Sequence, residues 1–419
     1  MNARRTARAV ALSTAAVTLM AACGGAAADA GDAPTTVEYW LWQDDATDST
    51  WGDLAAEFNA SRDDVQVNIT TIPLEQYQDR LLTAASSGTG ACAARSKDWW
   101  LGQFAPQGMI ADITDHVDGW DGKDDVIESL WDTGRLPGDD AVYMLPHQYV
   151  TLWLYYNKDR FAQAGIEPPT TQQEFLDAAA ALTDPAAGEY GFDVRGGAGG
   201  QDQWLAWMFA GGADVVDADG DVALTSPEAV AANERYLSVV TELDAAPPGS
   251  ITAAFAPVQT NFAAGTTAMM IHHPGSLNAM RETLGDALGV LPIPSLDGTD
   301  PATLTSMSGN VVLESCKDKD AAFEWISWLA TEEPMRAIST SIQGQLPVLE
   351  SVAGAEPFAT DPDLQLAIEA ARTAKSWPAL PGVAQLAAKE FQTQVQLALQ
   401  GDQTGEEMLT RLSQLLEQD

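Results

Sequence analysis

Residues 37–42, Val-Glu-Tyr-Trp-Leu-Trp, read as a buried strand that stops at the polar cluster Gln43, Asp44 and Asp45. Directly after it Trp51, Leu54, Ala55 and Phe58 recur at i, i+3, i+4 and i+7, the spacing that sets four side chains on one face of a helix. Val65, Val67 and Ile69 then alternate as in a strand, and Tyr77, Leu81 and Ala84 return to the helical period. Strand, helix, strand, helix at this spacing demands a parallel or mixed sheet with helices on its faces, which makes the fold class α/β. The same pattern continues through a strand at 149–156, a helix at 172–182, and strands at 266–272 and 289–294. A helix follows on Ala322, Trp325, Ile326 and Leu329, and the last one opens at a capping box of Thr404 and Glu407 and buries Met408, Leu412 and Leu415. With 419 residues the chain exceeds the roughly 250 to 300 at which one core stops growing, so two lobes are expected.

Sixty acidic residues against 21 Lys and Arg give a formal charge of −39, which repels phosphate backbones and excludes nucleic acid as a partner. The acids come at most in adjacent pairs, as in a solvated surface and not an acidic tail. Thirteen Trp is about twice the ordinary share and points to large aromatic cores, a binding surface, or both. The four His (His116, His147, His272, His273) and three Cys match no zinc spacing, so no metal site and no cofactor is expected. No nucleophile elbow, phosphate loop or His-x-x-Glu-His string supports catalysis. An exported carbohydrate-active hydrolase working through two carboxylates stays as the enzymatic alternative, although among so many acids pairs arise by chance.

Residues 1–22 hold Arg4, Arg5 and Arg8, no acid, an apolar stretch at 9–20, and Ala21-Ala22 before Cys23. This is a secretory signal peptide, and its apolar part is shorter than the roughly 20 residues of a spanning helix. Met20-Ala21-Ala22-Cys23 resembles a bacterial lipobox, which implies lipidation at Cys23, with residues 23–36 as the lipidated cysteine and its flexible tether. The chain is then extracytoplasmic, anchored to the outer face of the cell membrane by its lipid alone; plain secretion is the alternative. Cys92 and Cys316 remain, either paired or buried singly.

Several strings, taken in order, resemble one family. They are LYYNKDRF at 154–161, AGIEPPTTQQEF at 164–175, FAAGTTAMMIHHPG at 262–275, GVLP at 289–292, the helix at 321–329 with TEEP at 331–334, and QLPV at 345–348. They lie within residues 154–348 and resemble the extracellular solute-binding proteins of carbohydrate ABC importers, the maltose-binding-like group, a resemblance that carries over most of the chain. The resemblance implies a two-lobe periplasmic-binding-protein (Venus flytrap) fold with three interlobe crossings, near 149–151, 309–312 and 359–364. The N-terminal lobe is then 35–149 plus 312–360 and the C-terminal lobe 151–309 plus 364–419. Two departures stand out: Ala91-Cys92 replaces the family's Pro-Asp, and Gly275 stands where maltose-type binders carry a stacking Trp.

A sugar site needs flat aromatic faces for the C–H side of the ring, with amides, carboxylates and N–H groups for its hydroxyls. The resemblance places such residues in loops at the cleft. At the first strand these are Trp42, Gln43, Asp44 and Asp45, with Trp40 assigned to the core; in the second loop Ser96, Asp98 and Trp99; before the first crossing Gln148. After the glycine-rich stretch 196–200 come Gln201, Asp202 and Trp204, the last as a stacking platform, with Trp207 assigned to the core. His272 and His273 are neighbours on one strand, so their side chains should point to opposite faces, and one of them should face the cleft. Gly309 and Asn310 fall on the second crossing, and Trp377 in a loop folded over the cleft. The implied function is a non-enzymatic, monomeric receptor that captures a small neutral carbohydrate and delivers it to ABC permease subunits. The same fold binding a polyol or another non-sugar solute is the alternative. Arg95 and Lys97 are the cations in these loops, which disfavours phosphorylated ligands.

Overall fold

A computed structural model of the chain describes residues 34–43, 47–136, 138–299, 302–341 and 344–417. The signal peptide, Cys23 and its tether up to residue 33, and also Asp44 and Asp45, lie outside the described residues, while Thr35 and Thr36, expected in the tether, belong to the first strand, where they pair with Val65 and Gln66. In chain order the strands are β1 (Thr35–Leu41), β2 (Val65–Thr71), β3 (Ala93–Lys97), β4 (Leu145–Thr151), β5 (Trp153–Asn157), β6 (Tyr190–Phe192), β7 (Thr267–His272), β8 (Leu288–Leu291), β9 (Thr305–Val312) and β10 (Leu346–Pro347). They form two sheets: a six-stranded one in the order β10-β4-β9-β3-β1-β2 and a four-stranded one in the order β6-β7-β5-β8.

In the first sheet β1 runs parallel to β2, from Thr35 against Val65 to Leu41 against Thr71, and parallel to β3 on its other side. Val37, Tyr39 and Leu41 alternate onto one buried face. Helix Thr50–Ala60 crosses from β1 to β2 and buries the predicted stripe Trp51, Leu54, Ala55 and Phe58. Trp51 lies 6.0 Å from the Tyr39 ring, while Trp325, on helix Lys319–Leu329, meets Tyr39 at 5.7 Å and Phe58 at 5.1 Å. Much of the tryptophan excess is therefore core: Trp100, Trp153, Trp204, Trp207 and Trp325 are each at most 2 % exposed. In the second lobe the helix Gly200–Ala210 is apolar nearly all round and is buried all round, with only Asp202 partly exposed.

The chain passes between the sheets with almost no linker. β4 ends at Thr151 in the first sheet, β5 begins at Trp153 in the second, and Leu152 alone separates them. Thr303 Oγ1 donates to the Leu152 carbonyl at 2.7 Å, and Leu152 N–H donates to the Leu304 carbonyl at 3.3 Å. β9 then starts at Thr305, opposite Thr151, and stays in the first sheet throughout. The second passage therefore precedes Thr305, and the expectation of a crossing at 309–312 is corrected: all eight residues of β9 pair with β3, β4 or both, which puts Gly309 and Asn310 inside the sheet. A further segment runs alongside, Lys375 exchanging backbone hydrogen bonds with Thr303 and Thr305 at 2.9 and 2.8 Å.

Cys92 and Cys316 are joined by a disulfide, their Cα atoms 4.6 Å apart across 224 residues of chain. It ties the entry of β3 to the segment after β9, where Leu313 N–H also donates to the Cys92 carbonyl at 2.9 Å. Just before it Gly90 has φ +106°, and a Cβ there would come within 2.7 Å of the Trp40 ring, so both backbone and space require glycine. Closing so long a loop removes about 5 kcal/mol of unfolded-chain entropy in the loop-closure description. Replacing both cysteines by serine should lower unfolding stability by about 2 to 5 kcal/mol in urea titrations, and peptide mapping without reductant should recover one linked pair.

Candidate ligand cleft

From the first lobe, β1 leads into Trp42, which packs edge-on against Tyr77 at 5.1 Å and Trp100 at 5.7 Å. The Arg95 guanidinium lies 4.2 Å from the Trp42 ring centroid and donates to the Trp42 carbonyl at 3.3 Å. Trp42 is thus 2 % exposed, and its ring carries a cation on one face. Gln43 is tied locally, donating to the Asp48 carbonyl at 2.8 Å and accepting from Thr71 Oγ1 at 3.2 Å. β3 supplies Arg95, Ser96 and Lys97 and turns at Asp98–Trp100. Ser96 is buried with its hydroxyl on the Lys97 carbonyl, and Trp99 is buried edge-on against Trp100 at 5.4 Å. Lys97 Nζ donates to Ser308 Oγ at 3.3 Å across the β3–β9 pair and lies 5.2 Å from the Trp42 centroid.

Asp98 is the most perturbed acid of the site. It is 6 % exposed, and no side chain donates to its carboxylate, which the backbone N–H groups of Met307 and Trp99 approach without well-formed hydrogen bonds. Burial pushes its carboxyl up to about 7 although the Lys97 ammonium pulls it down, and the charge of Asp202 raises it further. Asp202 belongs to the other lobe, on the first turn of Gly200–Ala210. Burial raises it too, while Lys97 and Arg195 lower it, and Trp377 Nε1 donates to its Oδ1 at 3.4 Å. Lys97 thus acts on acids of both lobes. Asp98 and Trp377 line a cavity of about 510 Å³ together with Asp132, Arg135, Asp139 and Asp140.

At the second-lobe wall β7 ends at His272, and the chain turns there. The two imidazoles are 4.5 Å apart and both touch Phe255, at 4.5 and 5.5 Å. This corrects the opposite-face expectation, which assumed that the strand continued through His273. His272 is buried with Nδ1 on Ser276 Oγ at 2.7 Å, and burial drives its imidazole well below the usual range. His273 is the more open of the two; it stacks on Phe255 at an interplanar angle of 27° and accepts from Gly275 N–H at 3.1 Å. A Cβ at Gly275 would come within 2.8 Å of the His273 ring, so this imidazole fills the space a larger residue 275 would need.

Two further assignments are corrected. Trp204 is fully buried, its Nε1 donating to Asn233 at 2.9 Å and its ring 5.2 Å from Phe391; it is a core residue of the second lobe, because the apolar helix carrying it has no cleft-facing side at that position. Gly309 lets β9 lie against Met144 and the Leu145 carbonyl, and Asn310 accepts from Tyr39 Oη at 2.5 Å, so both serve the sheet and not the cleft. Gln148 is buried on β4 opposite Ser308 with its Nε2 unpartnered, and Gln201 is buried at the start of its helix. The neighbouring His147 is pressed down to about 3 by burial. The glycine-rich stretch closes on the protein itself: Arg195 Nε donates to the Ala198 carbonyl at 2.8 Å, and Cβ atoms at Gly199 or Gly200 would collide with Arg195. Sequence reasoning missed Phe255, Arg195 and the 132–140 segment. None sits in a motif; the one usable signal was an arginine placed just ahead of the glycines.

Replacing Trp204 by Ala should cost about 3 to 5 kcal/mol in denaturant unfolding, as for other buried Trp, and a loss below 1 kcal/mol would contradict its core role. Asp98 takes up its proton at a higher pH in the fold than in the unfolded chain, so its contribution to stability falls as pH rises from about 4 to about 7. The stability of Asp98→Asn relative to wild type should therefore climb over that window and level off above it, measured by urea titration at stepped pH.

The bacterial extracellular solute-binding protein family model matches residues 53–366. A protein of Brucella abortus (strain 2308), described as a binding protein, is 27% identical over 364 residues, covering 86% of each chain. The maltotriose-binding protein of Pyrococcus abyssi (strain GE5 / Orsay) is 24% identical over 327 residues, 74% of this chain and 65% of its own length. Among solved structures, an ABC transporter solute-binding protein of Thermotoga lettingae bound with α-D-tagatose superposes with TM-score 0.81 at 24% identity, covering 91% of this chain and 100% of that one. One from Agrobacterium radiobacter K84 in complex with ribitol gives 0.78 at 23%, covering 92% and 98%. The two sheets and their close passages are thus the two-lobe periplasmic-binding-protein architecture. The chain belongs to the bacterial extracellular solute-binding proteins, and its role is to bind a solute, not to catalyse a reaction.

Proposed function

We propose that the cleft binds a mono- or oligosaccharide and that the loaded protein delivers it to the permease of an ABC importer, with the chain held outside the membrane by lipid on Cys23. The observation that carries this reading is the cavity of about 510 Å³ lined by Trp377 and Asp98. An indole offers a flat apolar face to the C–H side of a sugar ring, and a carboxylate accepts from two hydroxyls. The volume lies within the roughly 300 to 1,000 Å³ usual for ligand sites. Free phosphate esters fit poorly, since Arg95 already serves Trp42 and Gln345 and Lys97 serves Ser308. Ligand capture by hinge bending is supported by the tight joint at Leu152, Leu304 and Lys375, where few dihedrals connect two separate sheets. A polyol is the second reading, favoured by the ribitol bound to the Agrobacterium structure. Among the described residues no helix is long and apolar enough to cross a membrane, and the lipobox-like Met20-Ala21-Ala22-Cys23 supports the lipid anchor.

A thermal-shift screen over disaccharides, amino sugars, pentose oligomers and polyols tests this proposal. A ligand at 100 times its dissociation constant adds about 2.7 kcal/mol of stability and a clear rise in Tm. Trp377→Ala should weaken that ligand at least tenfold in calorimetry while unfolding cooperatively. Absence of any hit in the panel sinks the saccharide and polyol readings together.

A further inference from the structure

The cavity is charged in a way that a neutral ring does not need. Its wall holds four carboxylates, Asp98, Asp132, Asp139 and Asp140, against one cation, Arg135. Asp139 is engaged, accepting from Ala141 N–H at 3.0 Å and Tyr143 Oη at 2.9 Å, and Asp132 and Asp140 are exposed at the mouth. Asp98 is more than nine-tenths buried; no side chain donates to its carboxylate, which has only the backbone N–H groups of Met307 and Trp99 beside it, and the charge of Asp202 acts on it from the other lobe. The Lys97 ammonium acts on both acids while it also donates to Ser308 Oγ and lies 5.2 Å from the Trp42 centroid, so one cation is shared between two carboxylates. Burying a carboxylate that no side chain satisfies is costly, so an arriving group that donates hydrogen bonds and carries positive charge gains most there. The Trp377 indole beside it adds an aromatic face that attracts the same charge. A bare metal ion does not meet the need: among the described residues no three acidic, His or Cys side chains converge closely enough to hold one. The cation must instead be carried on a molecule large enough to reach separated carboxylates.

We propose that the ligand is a saccharide bearing a protonated amine, an amino sugar or its oligomer, with the ammonium seated at Asp98 under Trp377. This rests on the saccharide reading above and replaces its neutral ring with a cationic one. The carboxylates at the mouth draw the cation inward, while the ring stacks on the indole.

Calorimetric titration of the full-length mature protein with matched pairs tests it: glucosamine against glucose, galactosamine against galactose, and the fully deacetylated β-1,4-linked glucosamine dimer against its N,N′-diacetyl form. In at least one pair the amine member should bind at least tenfold tighter than its neutral counterpart. In Asp98→Asn that ratio should fall to within about twofold. Should this variant unfold, Asp132→Asn/Asp140→Asn, altered only at exposed positions, should lower the ratio about threefold; an unchanged ratio in whichever variant folds overturns the proposal. Binding by neutral members alone, or equally by both, overturns the amine but leaves the saccharide receptor standing. Binding by neither member of any pair, with polyols also silent, overturns both.

Discussion

The cleft depends on how little chain joins the two sheets. Leu152 is the whole of the link between β4 and β5, and hydrogen bonds to Thr303 and Leu304 bring the returning segment against it. With Lys375 paired to the same segment, three passages lie side by side. Sliding the two sheets past each other would strain the hydrogen bonds that tie Leu152, Thr303, Leu304 and Lys375 together, whereas bending at the joint changes few dihedrals. Residues from distant parts of the sequence, such as Lys97, Asp202 and Trp377, can then meet in a defined geometry without a ligand to organise them.

Within that frame the cleft is governed by charges that lack water. Asp98 and Asp202 come from opposite lobes; burial raises both, Asp202 raises Asp98 further, and Lys97 acts against both. Burying such charges is costly, and the cost is greatest where solvent is least able to reach them.

The lobes were legible in the sequence because their periods are local: Trp51, Leu54, Ala55 and Phe58 announce a helix face whatever surrounds them, and each is buried. The loop residues Asp98 and Trp377 were legible through family resemblance, and both line the cavity. Trp204 was misplaced because burial on every side of a helix is a tertiary fact that spacing cannot reveal. The two histidines were misjudged because the strand stops one residue earlier than alternation suggests. Phe255 escaped notice since an isolated aromatic residue acquires meaning only once β7 carries His272 and His273 against it.

The bond between Cys92 and Cys316 gives the cleft a dependence on place. It clamps the start of β3, the strand whose far end carries Lys97 and Asp98, to the segment that follows β9. Thiols stay reduced in the bacterial cytosol and pair outside it. The turn that lines the cavity through Asp98 therefore gains its rigid footing only where thiols can pair, so a chain kept in the cytosol lacks the finished form of the cleft.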